Sequence, residues 1–201
     1  MEFELFISGI GGQGVQLVGK VLALAATAQG RYAQLTGEYG GSMRGGSTVA
    51  TVVIGDGRLH ALPVVPEAGA AIALHRMYWE PVERKLRPGS LVVFDPGPAA
   101  DLPGGQRHRL IPIAAAEIAA GLGSPQSAGL VMLGAFNAIT GLVGIEPLVQ
   151  AMQSALPPYR RALIESNERA LREGDRVAPR LAAAVAIGMP ADDAGAGRVA
   201  S

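Results

Sequence analysis

Three glycines near the N-terminus are spaced so that a backbone turn could bind an anion. Gly9, Gly11 and Gly14 fit the pattern G-x-G-x-x-G, and they follow an apolar run at residues 3–8. In such a pattern the first glycine permits a tight turn, the second lets the backbone approach a ligand, and the third lets a helix pack closely on the strand. Backbone N–H groups at the start of the next helix attract negative charge. Taken alone, the pattern predicts a dinucleotide site, or else it serves only the turn and its packing.

Two details distinguish this turn from a general dinucleotide-binding turn. Gly12 and Gln13 make it GxGGQG, which is a more specific sequence. The acidic residue that would bind a ribose, about 20 positions further on, would have to be Glu38. Glu38 instead belongs to a second glycine-rich stretch.

That second stretch places an acid, a phenol and a guanidinium within seven residues: Glu38, Tyr39 and Arg44. Three glycines accompany them and give the backbone freedom to approach another surface: Gly40, Gly45 and Gly46. The Arg44 guanidinium is suited to a phosphate or a carboxylate. Alternatively, Glu38 and Arg44 pair with each other and brace the loop.

The elements that must position these loops alternate between strand and helix. Apolar runs predict strands at residues 3–8, 32–36, 48–54, 70–74, 91–95 and 110–113. Helical patterns are predicted at residues 15–29, 78–86, 114–121, 129–142, 145–156 and 158–173. Such alternation with short connections predicts an α/β fold with a mainly parallel sheet flanked by helices, followed by a C-terminal helical part.

The composition excludes several classes of function. The 201 residues carry a formal net charge of +0, so the charge balance favours neither nucleic acid nor an anionic membrane as a partner. Without cysteine, these residues offer no thiolate to a zinc ion or an iron–sulfur cluster. His60, His75 and His108 are too scattered to predict a metal site. Residues 1–4 lack a basic signal-peptide region, so we expect a cytoplasmic protein.

One uncharged stretch, residues 118–145, is long enough to raise the question of a membrane span. Several glycines, an asparagine and a threonine interrupt it, and no basic cluster flanks it. We therefore predict no membrane span but a helix buried on nearly all sides, in a core or at a subunit interface.

Together the two glycine loops resemble the gamma subunit of the 2-oxoacid:ferredoxin oxidoreductases. This family includes pyruvate, 2-oxoglutarate, branched-chain, indolepyruvate and phenylglyoxylate enzymes. Weaker matches follow in the same order: residues 86–95, Leu133-Gly134-Ala135, and Asn167-Glu168-Arg169-Ala170 with Gly174. The resemblance covers residues 1–176 as one domain and leaves an Ala/Gly-rich tail at 177–201.

The resemblance implies a Rossmann-like subunit that is inactive alone and supplies no catalytic residue. The complete enzyme would use thiamine diphosphate, Mg²⁺, iron–sulfur clusters and coenzyme A to convert a 2-oxoacid by oxidative decarboxylation to its acyl-CoA. Electrons would pass to ferredoxin or a similar acceptor. Thiamine-binding alpha and beta subunits and a ferredoxin-like subunit would hold the cofactors, which agrees with the absence of cysteine here.

By the same resemblance, the two loops would face the thiamine-binding subunits near coenzyme A. The predicted cofactor-binding residues are Gly9, Gly11, Gly12, Gln13, Gly14, Glu38, Tyr39, Arg44, Gly45 and Gly46. Backbone N–H groups of residues 11–14 and the Arg44 side chain would bind the phosphates of coenzyme A.

Two other functions remain open from the sequence. The first is a stand-alone NAD-dependent dehydrogenase, although no histidine belongs to a recognisable acid/base set. The second is a non-catalytic scaffold in which the glycines serve close subunit packing. For a subunit or a scaffold we expect the isolated chain to be poorly soluble or inactive, because helix 129–142 would be exposed.

Overall fold

The computed structural model of the chain describes residues 2–40, 45–59 and 65–179. In that part, six strands form one sheet: β1 (Glu2–Ile10), β2 (Tyr32–Tyr39), β3 (Ser47–Gly55), β4 (Ala68–Ala73), β5 (Leu86–Phe94) and β6 (Arg109–Pro112). Six α-helices accompany it: α1 (Val15–Ala28), α2 (Trp79–Glu83), α3 (Ala115–Gly121), α4 (Ala128–Thr140), α5 (Ile145–Ala155) and α6 (Ile164–Val177). Two 3₁₀ segments, Pro125–Ser127 and Pro158–Leu163, precede α4 and α6.

The strands lie in the order β2-β3-β1-β4-β5-β6. β3 runs antiparallel to both of its neighbours, whereas β1, β4, β5 and β6 pair in parallel. Of the six described strands, five therefore point the same way and β3 is reversed. The predicted α/β fold with a mainly parallel sheet is confirmed.

Alternation of side chains along the strands divides the core between the two faces of the sheet. Leu5 and Ile7 of β1 belong to the larger cluster, which they share with α1, α4 and α5. Phe6 points to the opposite face and joins a smaller cluster around Trp79 of α2. Among the described residues, the helices are thus concentrated on one face of the sheet, and α2 with neighbouring loops covers the other.

Helix α4 is buried on nearly all sides, as predicted, because 11 of its 13 residues are buried. It packs against α6 more extensively than any other two elements in the described structure pack together. A Cβ atom on Gly134 of α4 would lie 2.0 Å from the carbonyl oxygen of Leu171, and one on Gly174 of α6 would lie 2.0 Å from that of Val131. The two helices are therefore in backbone contact, which explains why the sequence has glycine at both positions.

A hydrogen-bonded arginine orients α6 against α5. The Arg172 guanidinium donates to both carboxylate oxygens of Glu146, at 2.7 and 3.0 Å, and to Glu168 Oε1 at 2.9 Å. Hydrogen bonds from Arg172 hold the pKa of Glu146 below its ordinary value. Because these groups are exposed, we assign them to orientation rather than to stability.

Several boundaries differ from those predicted from the sequence, and three of the differences have a clear local description. β2 continues to Tyr39, because residues 37–39 go on pairing with β3. β5 begins at Leu86, which pairs with Ala68 before an irregularity in the register. Residues 158–163 form a 3₁₀ segment instead of an α-helix, and the Arg160 N–H donates to the Pro157 carbonyl oxygen three residues back.

The expected exposure of residues 129–142 in the isolated chain is wrong. This chain's own α1, α3, α5 and α6 surround α4, so no partner is needed to bury it. No helix in the described ranges is long and apolar enough to cross a membrane. The predicted tail comprises residues 177–201, and from residue 180 onward it lies outside the described residues.

We expect Gly134→Ala to lower the free energy of unfolding by about 1–3 kcal/mol, since the added methyl group must push α6 away from α4. Chemical denaturation followed by circular dichroism measures the change. Gly121→Ala in α3 is the matched control, because a Cβ there meets no atom within 4 Å. If Gly134→Ala is as stable as this control, the helices are not in backbone contact.

Candidate functional site

The glycine turn lies at the point where the chain changes direction across the sheet. From β1 the chain passes through α1 to β2 on one side, while β4, β5 and β6 extend on the other. In open α/β sheets, ligands bind in the crevice outside the carboxyl ends of the strands at such a switch point. The sheet therefore places residues 9–14 at the position where open α/β sheets usually bind their ligands.

Two glycines in this turn adopt conformations that other residues rarely adopt. Gly12 has φ +103° and Gly14 has φ +76°, and a Cβ on either would meet no atom within 4 Å. Gly14 is the N-cap of α1, and no side chain caps this helix. The N–H groups of the first helical turn have no acceptor within the helix. The turn thus presents uncapped amides beside open space.

The two glycine loops are in direct contact. The Gly11 N–H donates to the Gly46 carbonyl oxygen at 2.9 Å, and a Cβ on Gly11 would lie 3.3 Å from the Gly45 nitrogen. The structure therefore brings the two loops together at these residues. Arg44 lies outside the described residues, so its role and its alternative pairing with Glu38 stay predictions.

Gln13 closes the crevice between β1 and β4. Its side-chain oxygen accepts from the Ile10 N–H at 2.9 Å, and its side-chain amide donates to the Leu74 carbonyl oxygen at 3.0 Å. A Cβ on Gly9 would lie 2.7 Å from the same Gln13 oxygen. Gln13 therefore spans the switch point, and Gly9 leaves room for it.

The N-terminus of α4 fills most of what remains of the crevice. A Cβ on Gly129 would lie 3.0 Å from the Gln13 carbonyl oxygen. The remaining cavity measures about 170 Å³ and is bordered by Asp95, whose carboxylate accepts from the Gly97 and Ala116 N–H groups at 3.1 and 2.7 Å. Small-molecule pockets usually measure about 300–1,000 Å³, so a dinucleotide does not fit inside.

Larger cavities lie on the outer side of the turn. One, of about 380 Å³, lies between the turn, the start of α4 and the end of α5. Its apolar wall includes Leu17 and Leu130, and its polar groups are Gln126, Arg160 and Asn167. Asn167 is buried and its side-chain oxygen accepts from the Ser127 hydroxyl at 2.8 Å. The cavity therefore combines an apolar wall with groups that can recognise polar atoms.

A neighbouring cavity of about 370 Å³ begins on the other side of Arg160. It is bordered by the glycine turn, the first turn of α1, Tyr39 and Thr48. Arg160 borders both cavities, is exposed, and forms no ion pair with any described residue. Arg160 is not among the residues predicted from the sequence, where its only signal is that it belongs to a pair of arginines after two prolines.

Glu38 and Tyr39 point to opposite faces of the sheet, because they are adjacent in β2. Tyr39 borders the cavity beside the glycine turn, whereas Glu38 borders a separate cavity of about 140 Å³ with Tyr78 and Lys85. The structure thus brings Tyr39, but not the Glu38 carboxylate, to the cavities around the turn.

The described histidines do not line the cavities around the turn. The side chain of His108 is fully buried, with Nε2 3.2 Å from Glu83 Oε1. His75 Nδ1 accepts from the Met77 N–H at 3.0 Å. His60 lies outside the described residues. Within the described ranges, no three His, Asp or Glu side chains form a group that could hold a metal ion.

The fold and the turn together define a Rossmann-like α/β domain. The family model described as pyruvate ferredoxin/flavodoxin oxidoreductase matches residues 4–177. The chain therefore belongs to this family.

Individual relatives agree with the family match. The chain is 32% identical to the 2-oxoglutarate synthase subunit KorC of Methanothermobacter thermautotrophicus, over 77% of this chain and 85% of that protein. It is 31% identical to the ketoisovalerate oxidoreductase subunit VorA of the same organism, over 86% of this chain but only 36% of that protein. The match to VorA thus spans about a third of that relative's length.

A solved structure gives the same result. The chain superposes with a TM-score of 0.75 and 29% identity on the keto/oxoacid ferredoxin oxidoreductase gamma subunit from Geobacter sulfurreducens, covering 88% of this chain and 95% of that one. The resemblance to gamma subunits read from the two glycine loops is confirmed.

We expect Gln13→Ala to lower the free energy of unfolding by about 1–3 kcal/mol, because it leaves the Ile10 N–H and the Leu74 carbonyl without partners. Thermal and chemical denaturation measure the loss. The matched control is Gln126→Ala, an exposed glutamine with no hydrogen bond to a described residue, which should change stability by less than about 0.5 kcal/mol. Equal effects of the two substitutions would contradict the bridging role of Gln13.

Proposed function

We propose that the chain acts as the gamma subunit of a thiamine diphosphate-dependent 2-oxoacid:acceptor oxidoreductase. The complete enzyme would oxidatively decarboxylate a 2-oxoacid to its acyl-CoA and pass the electrons to ferredoxin or a similar acceptor. The observation that carries the proposal is the family match over residues 4–177, supported by relatives whose names are those of oxidoreductase and synthase subunits. The location expected from the sequence, the cytoplasm, stays a prediction.

The geometry supports a subunit better than a stand-alone dehydrogenase. Gln13 and the start of α4 occupy the crevice in which a dinucleotide would lie, and about 170 Å³ remains there. The cavities that can accept a ligand open outward, where another protein can complete them. We therefore prefer shared binding at a subunit junction to chemistry within this chain.

We further propose that the outer cavities bind part of coenzyme A. The amides of the glycine turn and the Arg160 guanidinium are suited to its phosphates, because a helix start and an arginine both favour anions. The apolar wall around Leu17 and Leu130 is suited to an aliphatic segment of the ligand. Five of the residues predicted from the sequence border these cavities: Gly11, Gly12, Gln13, Gly14 and Tyr39. Arg44 remains a candidate.

In this proposal the residues of this chain bind and orient, and other subunits supply the reactive groups. Thiamine diphosphate with Mg²⁺, when bound to the alpha and beta subunits, would supply the decarboxylation chemistry. Iron–sulfur clusters need thiolates that these 201 residues lack, so a ferredoxin-like subunit would hold them. Gln13 would hold the glycine turn in place while the backbone amides of the turn contact the ligand.

Assembly tests the proposal directly. We expect the chain, co-expressed with thiamine-binding and ferredoxin-like subunits from the same genome, to co-purify with them in fixed stoichiometry. The assembly should reduce an acceptor only when both a 2-oxoacid and coenzyme A are present, and omission of this chain should abolish that activity. Tight NAD binding with hydride transfer by the isolated chain would contradict the proposal.

Arginine substitutions test the coenzyme site. We expect Arg160→Ala, and separately Arg44→Ala, to raise the KM for coenzyme A by about tenfold, the effect of about 1.4 kcal/mol from one charge-assisted hydrogen bond. The KM for the 2-oxoacid should not change. Arg169→Ala on the exposed side of α6 is the matched control. An unchanged requirement for coenzyme A in Arg44→Ala would favour the bracing role of Arg44, and in Arg160→Ala it would remove Arg160 from the site.

A further inference from the structure

A buried polar side chain of α6 stands where the helix otherwise presents apolar residues to the core. The buried residues of this helix are spaced three and four apart, as on the core side of an amphipathic helix: Asn167, Ala170, Leu171 and Gly174. Asn167 is only 4% exposed. A buried amide costs free energy unless its donor and acceptor groups find partners. The partners of Asn167 therefore indicate why an asparagine is present.

Two buried serines hold the side chain of Asn167 in place. The Ser127 hydroxyl donates to Asn167 Oδ1 at 2.8 Å, and the hydroxyl oxygens of Ser124 and Ser127 are 2.7 Å apart. A hydroxyl has one proton to donate, and Ser127 gives its proton to Asn167, so Ser124 donates to Ser127. Hydrogen bonds in such a chain strengthen one another. This serine relay therefore holds the Asn167 amide in one orientation.

The serine relay uses the oxygen of the Asn167 amide and leaves its nitrogen, Nδ2, to donate elsewhere. Nδ2 forms no hydrogen bond with a described residue. Asn167 borders the cavity of about 380 Å³, whereas Ser124 and Ser127 do not. Because Oδ1 is turned toward the serines, Nδ2 is the polar atom of this side chain that is available to the cavity. The structure thus places one oriented donor at the wall of that cavity.

Most of the wall around this donor is apolar. Leucines from α1, from α4 and from the two ends of the segment between α5 and α6 border the cavity: Leu17, Leu130, Leu156 and Leu163. We call this cavity of about 380 Å³ the leucine cavity; its volume is within the usual range for small-molecule pockets. It shares Arg160 and part of the glycine turn with the cavity of about 370 Å³ beside Tyr39. An anion at that shared border would lie between the two cavities.

The hydrogen-bonding groups decide which part of a ligand matches the leucine cavity. An asparagine that recognises adenine uses both amide atoms, one as donor and one as acceptor. Here the serine relay uses Oδ1, so Asn167 offers the cavity a donor alone. One donor among leucine side chains matches a carbonyl oxygen on an otherwise aliphatic segment. The pantetheine arm of coenzyme A is such a segment, because its amide carbonyls alternate with aliphatic stretches.

We propose that Asn167 Nδ2 donates to an amide carbonyl of the pantetheine arm in the leucine cavity, and that Ser127 and Ser124 position Asn167 for this contact. The inference rests on the proposed coenzyme site and assigns the two ends of the ligand to different cavities. With the phosphates at the glycine turn and Arg160, the nucleotide lies toward Tyr39 and the arm toward α6. Asn167 is then a specificity residue for the arm, and the two serines are positioning residues.

Asn167→Leu tests the contact with the arm. We expect the Kd of the assembled enzyme for coenzyme A, measured by isothermal titration calorimetry, to rise about tenfold because one hydrogen bond is lost. The Kd for adenosine 3′,5′-bisphosphate, which has the nucleotide end but no arm, should not change. Asn137→Leu in α4 is the matched control, because Asn137 is also buried, accepts from the Val143 N–H at 3.0 Å, and borders neither cavity. It should lower the melting temperature and leave both Kd values unchanged.

Ser127→Ala tests the positioning by the serine relay. We expect it to raise the Kd for coenzyme A about threefold, because Asn167 keeps its donor but loses its fixed orientation. In the Asn167→Leu background the same substitution should not change the Kd further, since no amide is left to orient. This double variant leaves neither partner of the Ser127–Asn167 hydrogen bond buried alone, so it also serves if Asn167→Leu folds poorly. Equal effects of Ser127→Ala in both backgrounds would refute the positioning role.

The outcomes separate this inference from the function on which it rests. If the wild-type assembly binds no coenzyme A, the proposed coenzyme site fails. If it binds coenzyme A and the Kd of Asn167→Leu equals that of Asn137→Leu, the coenzyme site stands and the role of Asn167 is wrong. If Asn167→Leu weakens adenosine 3′,5′-bisphosphate as much as coenzyme A, the leucine cavity does not distinguish the arm and the inference is overturned.

Discussion

The buried helix α4 makes backbone contact at two places, and both contacts depend on the absence of a side chain. Gly134 lets the helix touch the Leu171 carbonyl of α6, and Gly129 lets its first turn touch the Gln13 carbonyl of the glycine turn. Close-packed interiors give way little, so these contacts set where α6 and the turn lie relative to each other. The outer cavity of about 380 Å³ lies between these elements, so the position of α4 helps to set its shape.

The same packing leaves the larger cavities on the outer side of the glycine turn. In a dinucleotide-binding domain the crevice at the switch point is the pocket. Here Gln13 bridges that crevice and α4 fills it, so the uncapped amides of α1 face cavities on the surface instead. A site that is open to solvent and edged by aromatic and arginine side chains is suited to completion by another protein. In the proposed function, the glycine turn is retained and serves a junction with another subunit.

Much of the fold could be predicted because the local sequence pattern of each element agrees with the strand or helix that it forms. Each predicted strand and helix exists, and the largest errors are at boundaries such as the end of β2, where pairing with β3 extends the strand beyond its β-forming residues. In the candidate site, the glycine turn was recognised from spacing alone. The role of Gln13 was not, because its two partners are a near neighbour and Leu74, which is brought close only by the parallel pairing of β1 and β4.

The sequence by itself determined the α/β class, the GxGGQG turn after the first strand, the absence of thiolates and the family. These are properties of composition and of short spacings along the chain. Only the tertiary structure decided that Arg160 reaches the turn, that Glu38 points away from it, and that α4 is buried by its own chain. The physical reason is that these facts depend on contacts between residues far apart in sequence, and on which face of a strand a side chain occupies once the sheet has formed.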